Sequence, residues 1–137
     1  MKYHLLIAAW VTTFVVSPGI INLAQAQTAN IKTIVSIGGP PVILKQNSQL
    51  NLAGVFGVGG NTSAIVTQNG TYNYTGVLQF GGTTSASVNQ LGANNVTFVG
   101  QSGQSTSSVV AQVGSVNSGV ISQFGATNTS NVTQAGP

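Results

Sequence analysis

An eleven-residue repeat constrains this chain more than any other feature of its sequence. The motif Gln-x-Gly recurs at Gln68, Gln79, Gln90, Gln101, Gln112, Gln123 and Gln134, every step eleven residues long. Carried backward, the frame meets Gly57, where Gln is lost but Gly59 keeps its place, and then Gln46, followed by Ser48. With the Gln as position one, position three is glycine in eight of nine units, among them Gly70, Gly81, Gly92, Gly103, Gly114 and Gly125. Position six is Asn or Thr throughout and includes Asn73, Asn95, Asn117 and Asn128. Position eight is always small. Position ten is always β-branched: Val55, Val66, Val77, Val88, Val99, Val110, Ile121 and Val132. Self-similarity at a short fixed period marks a repeat architecture.

The spacing carries the geometry. Positions six, eight and ten and the next Gln lie two apart, so on a strand they share one face. β-Branched residues at position ten favour that strand, and glycine at position three marks the turn that ends it. Asn and Thr alternate at position six for the first seven units. Position seven alternates too, with Leu52, Tyr74 and Val96 against Ser63, Ser85 and Ser107. The pattern predicts an all-β solenoid in which two unlike strand-turn units make one 22-residue coil, so that like stacks on like. The position-ten residues then form the core. The seven Gln, with Asn73, Asn95, Asn117 and Asn128, stack in hydrogen-bonded ladders, because a buried amide without a partner is costly.

Composition removes most chemistry. The only charged residues are Lys2, Lys32 and Lys45, and there is no Asp, Glu, Arg or Cys. The pI near 9.7 therefore reflects missing acids and is no argument for nucleic acid. No carboxylate is present to hold calcium, magnesium or a catalytic zinc, and no thiol to form a disulfide. Lys2 is followed by an apolar run from Leu5 to Val16, a break at Ser17-Pro18-Gly19, and the small-x-small pattern Ala24-Gln25-Ala26. This reads as a secretory signal over residues 1–26, cleaved before Gln27. The sole His, Trp and Met lie inside it, so residues 27–137 have no imidazole to activate their many hydroxyls. No enzyme, cofactor or metal is expected.

The string Asn128-Thr129-Ser130-Asn131-Val132-Thr133-Gln134-Ala135-Gly136 resembles the repeats of curlins, the subunits of the extracellular amyloid fibres called curli. The resemblance covers residues 46–137. It implies a cross-β assembly, secretion through a dedicated outer-membrane pore, partnership with other curlin subunits or a nucleator, and a role in biofilm matrix and adhesion. Residues 27–45 precede the clear repeat. Ile31, Ile34, Val35 and Ile37 there can form a strand that Gly38-Gly39-Pro40-Pro41 breaks. The resemblance implies a secretion-targeting segment; a linker or capping strand is the alternative.

Self-association also follows from the residues. Terminal strands without charge, proline or bulge are open edges, and an end-to-end contact between copies does not close. Outward positions seven, nine and eleven supply Leu52, Phe56, Tyr74, Leu78, Val96 and Phe98 in alternate units. In the intervening units they supply Ser63, Thr67, Ser85, Ser87, Asn89 and Ser107. One outer face is then apolar and the other polar. The competing function is a monomeric secreted solenoid that binds a target through one such flat face.

Overall fold

The computed structural model describes residues 22–24, 31–37, 42–47 and 50–137. Among them there is no helix. The strands are β1 (Asn22–Ala24), β2 (Ile31–Ile37), β3 (Val42–Asn47), β4 (Leu52–Val58), β5 (Thr62–Thr71) and β6 (Tyr74–Phe80). They continue as β7 (Thr84–Ala93), β8 (Val96–Ser102), β9 (Thr106–Ser115), β10 (Ser118–Phe124) and β11 (Thr129–Ala135). Alternate strands belong to opposite sheets, both parallel: β1-β3-β5-β7-β9-β11, the odd sheet, and β10-β8-β6-β4-β2, the even sheet. Each unit is one strand, and two units make one coil of a β-solenoid.

The register stacks each residue on its repeat equivalent. Val55 pairs with Val77 and Val77 with Val99 in the even sheet; Val66 pairs with Val88 and Val88 with Val110 in the odd sheet. Position ten thus builds two valine columns facing each other, and Val55, Val66, Val77, Val88, Val99, Val110 and Ile121 are all buried. Val132, in the last strand, is half-buried and packs on this core. Small residues at position eight, such as Ala64 and Ala86 at no more than 1% exposure, let the sheets approach closely. A slip of one residue would turn this whole set outward, which is why the period is held so strictly.

The sheets begin before position 46. β2 pairs with β4 and β3 with β5, so Ile34, Val42 and Leu44 join the core. Ile34 pairs with Val55, twenty-one residues on, whereas Leu44 pairs with Val66, twenty-two on. The frame therefore slips by one residue between β2 and β3. β1 adds a short strand to the free edge of β3, with Ala24 opposite Lys45. Of the leader reading, residues 1–21, Gln25 and Ala26 lie outside the described residues.

The turns explain the glycines. Gly70 and Gly92 have φ of 123°, and a Cβ on either would collide with the carbonyl of the next glycine in its column, Gly92 or Gly114. Bonds such as Gly81 N–H to Val58 O at 3.0 Å carry the pairing between coils into the turns. Position five also takes left-handed backbone, at Leu50, Tyr72, Thr83, Asn94, Ser105, Val116 and Thr127. For β-branched Thr and Val that conformation is strained.

Candidate functional site

The repeated polar positions converge inside the solenoid. Gln46, Gln68, Gln79, Gln90, Gln101, Gln112 and Gln123 are all at most 5% exposed. In the odd sheet one amide ladder runs the length of the stack. Gln46 Nε2 donates to Gln68 Oε1 at 2.8 Å, Gln68 to Gln90 at 2.8 Å, Gln90 to Gln112 at 2.9 Å and Gln112 to Gln134 at 2.7 Å. In the even sheet a shorter ladder joins Gln79 to Gln101 at 2.9 Å and Gln101 to Gln123 at 3.0 Å. It stops at Gly57, which occupies the Gln position of β4 and pairs with Gln79.

Each amide also ties the sheets together. Gln90 Nε2 lies 3.1 Å from Tyr74 O, and Gln101 Nε2 lies 2.9 Å from Ser85 O, both carbonyls on the opposite sheet. Position-eight hydroxyls complete the network: Thr75 Oγ1 donates to Gln90 Oε1 at 2.8 Å and Ser108 Oγ to Gln123 Oε1 at 2.8 Å. Low dielectric strengthens such bonds and makes any gap among them expensive.

The asparagines form a column of opposite polarity. Asn95 Nδ2 donates back to Asn73 Oδ1 at 3.1 Å, and Asn117 Nδ2 to Asn95 Oδ1 at 3.0 Å. Asn128 does not join them. It falls in the column of Thr62, Thr84 and Thr106, and its amide caps its own turn by donating to Phe124 O at 2.6 Å and Gly125 O at 3.0 Å. The cause is parity: the Asn/Thr alternation breaks in the last unit, and column membership follows the sheet, not the residue type. In the Thr column, Thr84 Oγ1 and Thr106 Oγ1 are buried without a partner.

The outer surfaces differ. Phe56, Tyr74, Phe80, Phe98 and Phe124 all lie on the outer side of the even sheet, and the Phe56 and Phe80 rings sit 5.6 Å apart. Gly54 and Gly76 leave a groove of about 230 Å³ on that side, flanked by Thr33, Val35, Phe56, Tyr74, Leu78 and Phe98. The odd sheet presents Ser63, Thr67, Ser85, Ser87, Asn89 and Ser107 outward, interrupted by exposed Ile65 and Val109.

A parallel two-sheet β-solenoid whose 22-residue coils are joined by side-chain amide ladders is a repeat architecture. Residues 109–136 match the family model of the curlin associated repeat, so this part of the chain is similar to curlin repeats. Comparison with curated proteins and with solved structures gave no match.

Proposed function

We propose that the chain is an extracellular structural subunit that polymerises end to end into cross-β, curli-type fibres. The observation that carries this reading is the pair of amide ladders, whose rungs repeat the same hydrogen bonds every 22 residues, Gln68 to Gln90 to Gln112 in one sheet and Gln79 to Gln101 to Gln123 in the other. Coils of a second molecule stacked in the same register would extend both ladders and pair the edge strands. Charge does not oppose such stacking, since residues 46–137 carry none. Curlin family members are extracellular fibre subunits, which supports placing this chain outside the cell after export through a curli-type outer-membrane pore. Its partners are then copies of itself, other curlin subunits or a nucleator, and its role is matrix building and adhesion rather than catalysis.

The groove over Gly54 and Gly76 favours a second reading, a monomeric solenoid that binds through its apolar face. Thioflavin fluorescence and electron microscopy of the exported protein at micromolar concentration separate the two. Fibres with dye fluorescence are expected. A protein that stays monomeric for days belongs to the second reading.

A further inference from the structure

Two columns on the outer side of the even sheet combine gaps with rings. At position nine, Thr33, Gly54, Gly76, Phe98 and Val120 stand side by side on β2, β4, β6, β8 and β10. Gly54 and Gly76 floor the groove of about 230 Å³. A Cβ on Gly54 would meet nothing within 4 Å, so no neighbouring side chain fills that gap. Phe98 is exposed, and its ring leans toward β6, where a Cβ on Gly76 would come 3.0 Å from ring atom Cδ2. At position eleven the order is reversed. Val35, Phe56, Leu78, Gly100 and Ser122 put the phenylalanine on β4 and the glycine on β8. Gap and ring on β4 therefore mirror ring and gap on β8, with β6 between them.

We infer that a second copy of this chain covers this face, related to the first by a two-fold axis running along β6. That axis lays β8 of one copy on β4 of the other and keeps position nine opposite position nine. The Phe98 ring of each copy then enters the other's groove over Gly54 and Gly76, and Phe56 comes opposite the second copy's Gly100. A cavity of about 150 Å³ already holds a benzene ring, so the groove has room. A two-fold along the stacking direction would instead set Phe98 on Phe98 and leave glycine facing glycine. The area agrees. Five strands about 4.8 Å apart, each seven residues long with a rise of about 3.3 Å, give a footprint of about 550 Å². The pair then buries about 1,100 Å² in total, just above the roughly 1,000 Å² that a specific interface needs. No described side chain on this face is charged, so closing it buries no unpaired charge. The contact is isologous and closes on itself, so it does not depend on growth along the solenoid axis. Its register is set by β4, β6 and β8, in the middle of the sheet.

Exchanging ring and gap tests the pairing. The freshly exported protein should sediment as a dimer at micromolar concentration, and in fibres the same contact should double the mass per length of a single solenoid. Phe98→Ala removes the ring and Gly54→Phe fills the groove, and each should weaken the dimer at least about tenfold. The combined Gly54→Phe/Phe98→Ala protein carries the ring on β4 and the gap on β8. The same axis fits it again, so most of the lost affinity should return. Gly54→Phe also makes the face more apolar, and indiscriminate stickiness would tighten its association. Tighter association of that variant, a monomeric wild type, or no recovery in the combined variant overturns the inference. Open space around Gly54 admits the new side chain, and circular dichroism checks that the fold is kept. Gly54→Val, which suits a strand, blocks the groove in a second way and should weaken the dimer likewise. A protein that pairs without forming fibres keeps this inference and ends the polymerisation reading; unpaired single-solenoid fibres do the reverse.

Discussion

Thr97 and Gln112 are joined across the core from facing sheets, Thr97 Oγ1 donating to Gln112 Oε1 at 2.7 Å. The same hydroxyl accepts from Gln90 Nε2 at 3.1 Å, so one threonine links two rungs of the ladder. Equivalent bonds join Thr75 to Gln90 and Ser108 to Gln123. Position eight is thus chosen for chemistry as well as for size.

The contrast with position six gives the first prediction. Thr84 and Thr106 bury hydroxyls that have no partner, whereas the Thr97 hydroxyl has two. Thr84→Val and Thr106→Val should each stabilise the fold by about 1 kcal/mol, and Thr97→Val should destabilise it by about 1–2 kcal/mol. Urea midpoints at constant slope measure both. Equal effects at the three sites would contradict the hydrogen-bond assignment.

The second concerns the ladder. Replacing Gln90 and Gln112 together by Leu leaves Gln68 Nε2, Thr97 Oγ1 and Gln134 Oε1 without their amide partners. The loss should reach about 3 kcal/mol or more, and fibre growth should slow. Ser85→Ala with Ser107→Ala touches only outward side chains and should change stability by less than about 0.5 kcal/mol. Similar behaviour of the two pairs would reverse the inward and outward faces.

Much of this was legible in the sequence, and the rest has identifiable causes. The two-unit coil followed from alternation at positions six and seven, because stacking like on like makes unlike strands alternate. The buried columns followed from the two-residue spacing. β2 and β3 were harder to see because the frame slips by one residue at Gly38-Gly39-Pro40-Pro41, and a strict eleven-residue ruler misses Ile34 and loses the Gln signal. Position eight read as small because Ala, Thr and Ser share size; its alternation between Ala and Thr from Ala64 to Thr97 was the available clue. Left-handed backbone at Leu50, Tyr72 and Val116 was not legible at all, since none of these residues favours it and the stacked turn imposes it. Asn128 read as a ladder residue by type, but its column is decided by unit parity.

The third prediction separates folding from stacking. Gly92→Ala places a methyl against the Gly114 carbonyl and should cost about 3 kcal/mol or more. Gly125→Ala meets open space and should cost about 1–2 kcal/mol, from its φ of 86° alone. Its methyl points to where a docked coil would lie, so fibre growth should suffer more than stability. Circular dichroism melts set against seeded growth rates make the comparison. Growth of Gly125→Ala that tracks its small stability loss would contradict it.

The fourth addresses the apolar outer side of the even sheet, where Tyr74 and Phe98 remain 43% and 38% exposed. A stripe of this kind repeated along a filament favours lateral association. Changing Leu52, Phe56, Tyr74, Leu78 and Phe98 to Ser or Thr should leave single thin filaments that are still cross-β. Electron micrographs showing bundles of unchanged width would remove this role for the face.

X-ray diffraction from aligned fibres of the exported protein shows whether coils continue from one molecule into the next. A sharp meridional reflection is expected at about 4.8 Å, from strands stacked along the axis, and an equatorial one at about 10 Å, from the two facing sheets. Aligned fibres in which the spacing of about 4.8 Å lies across the axis would contradict it.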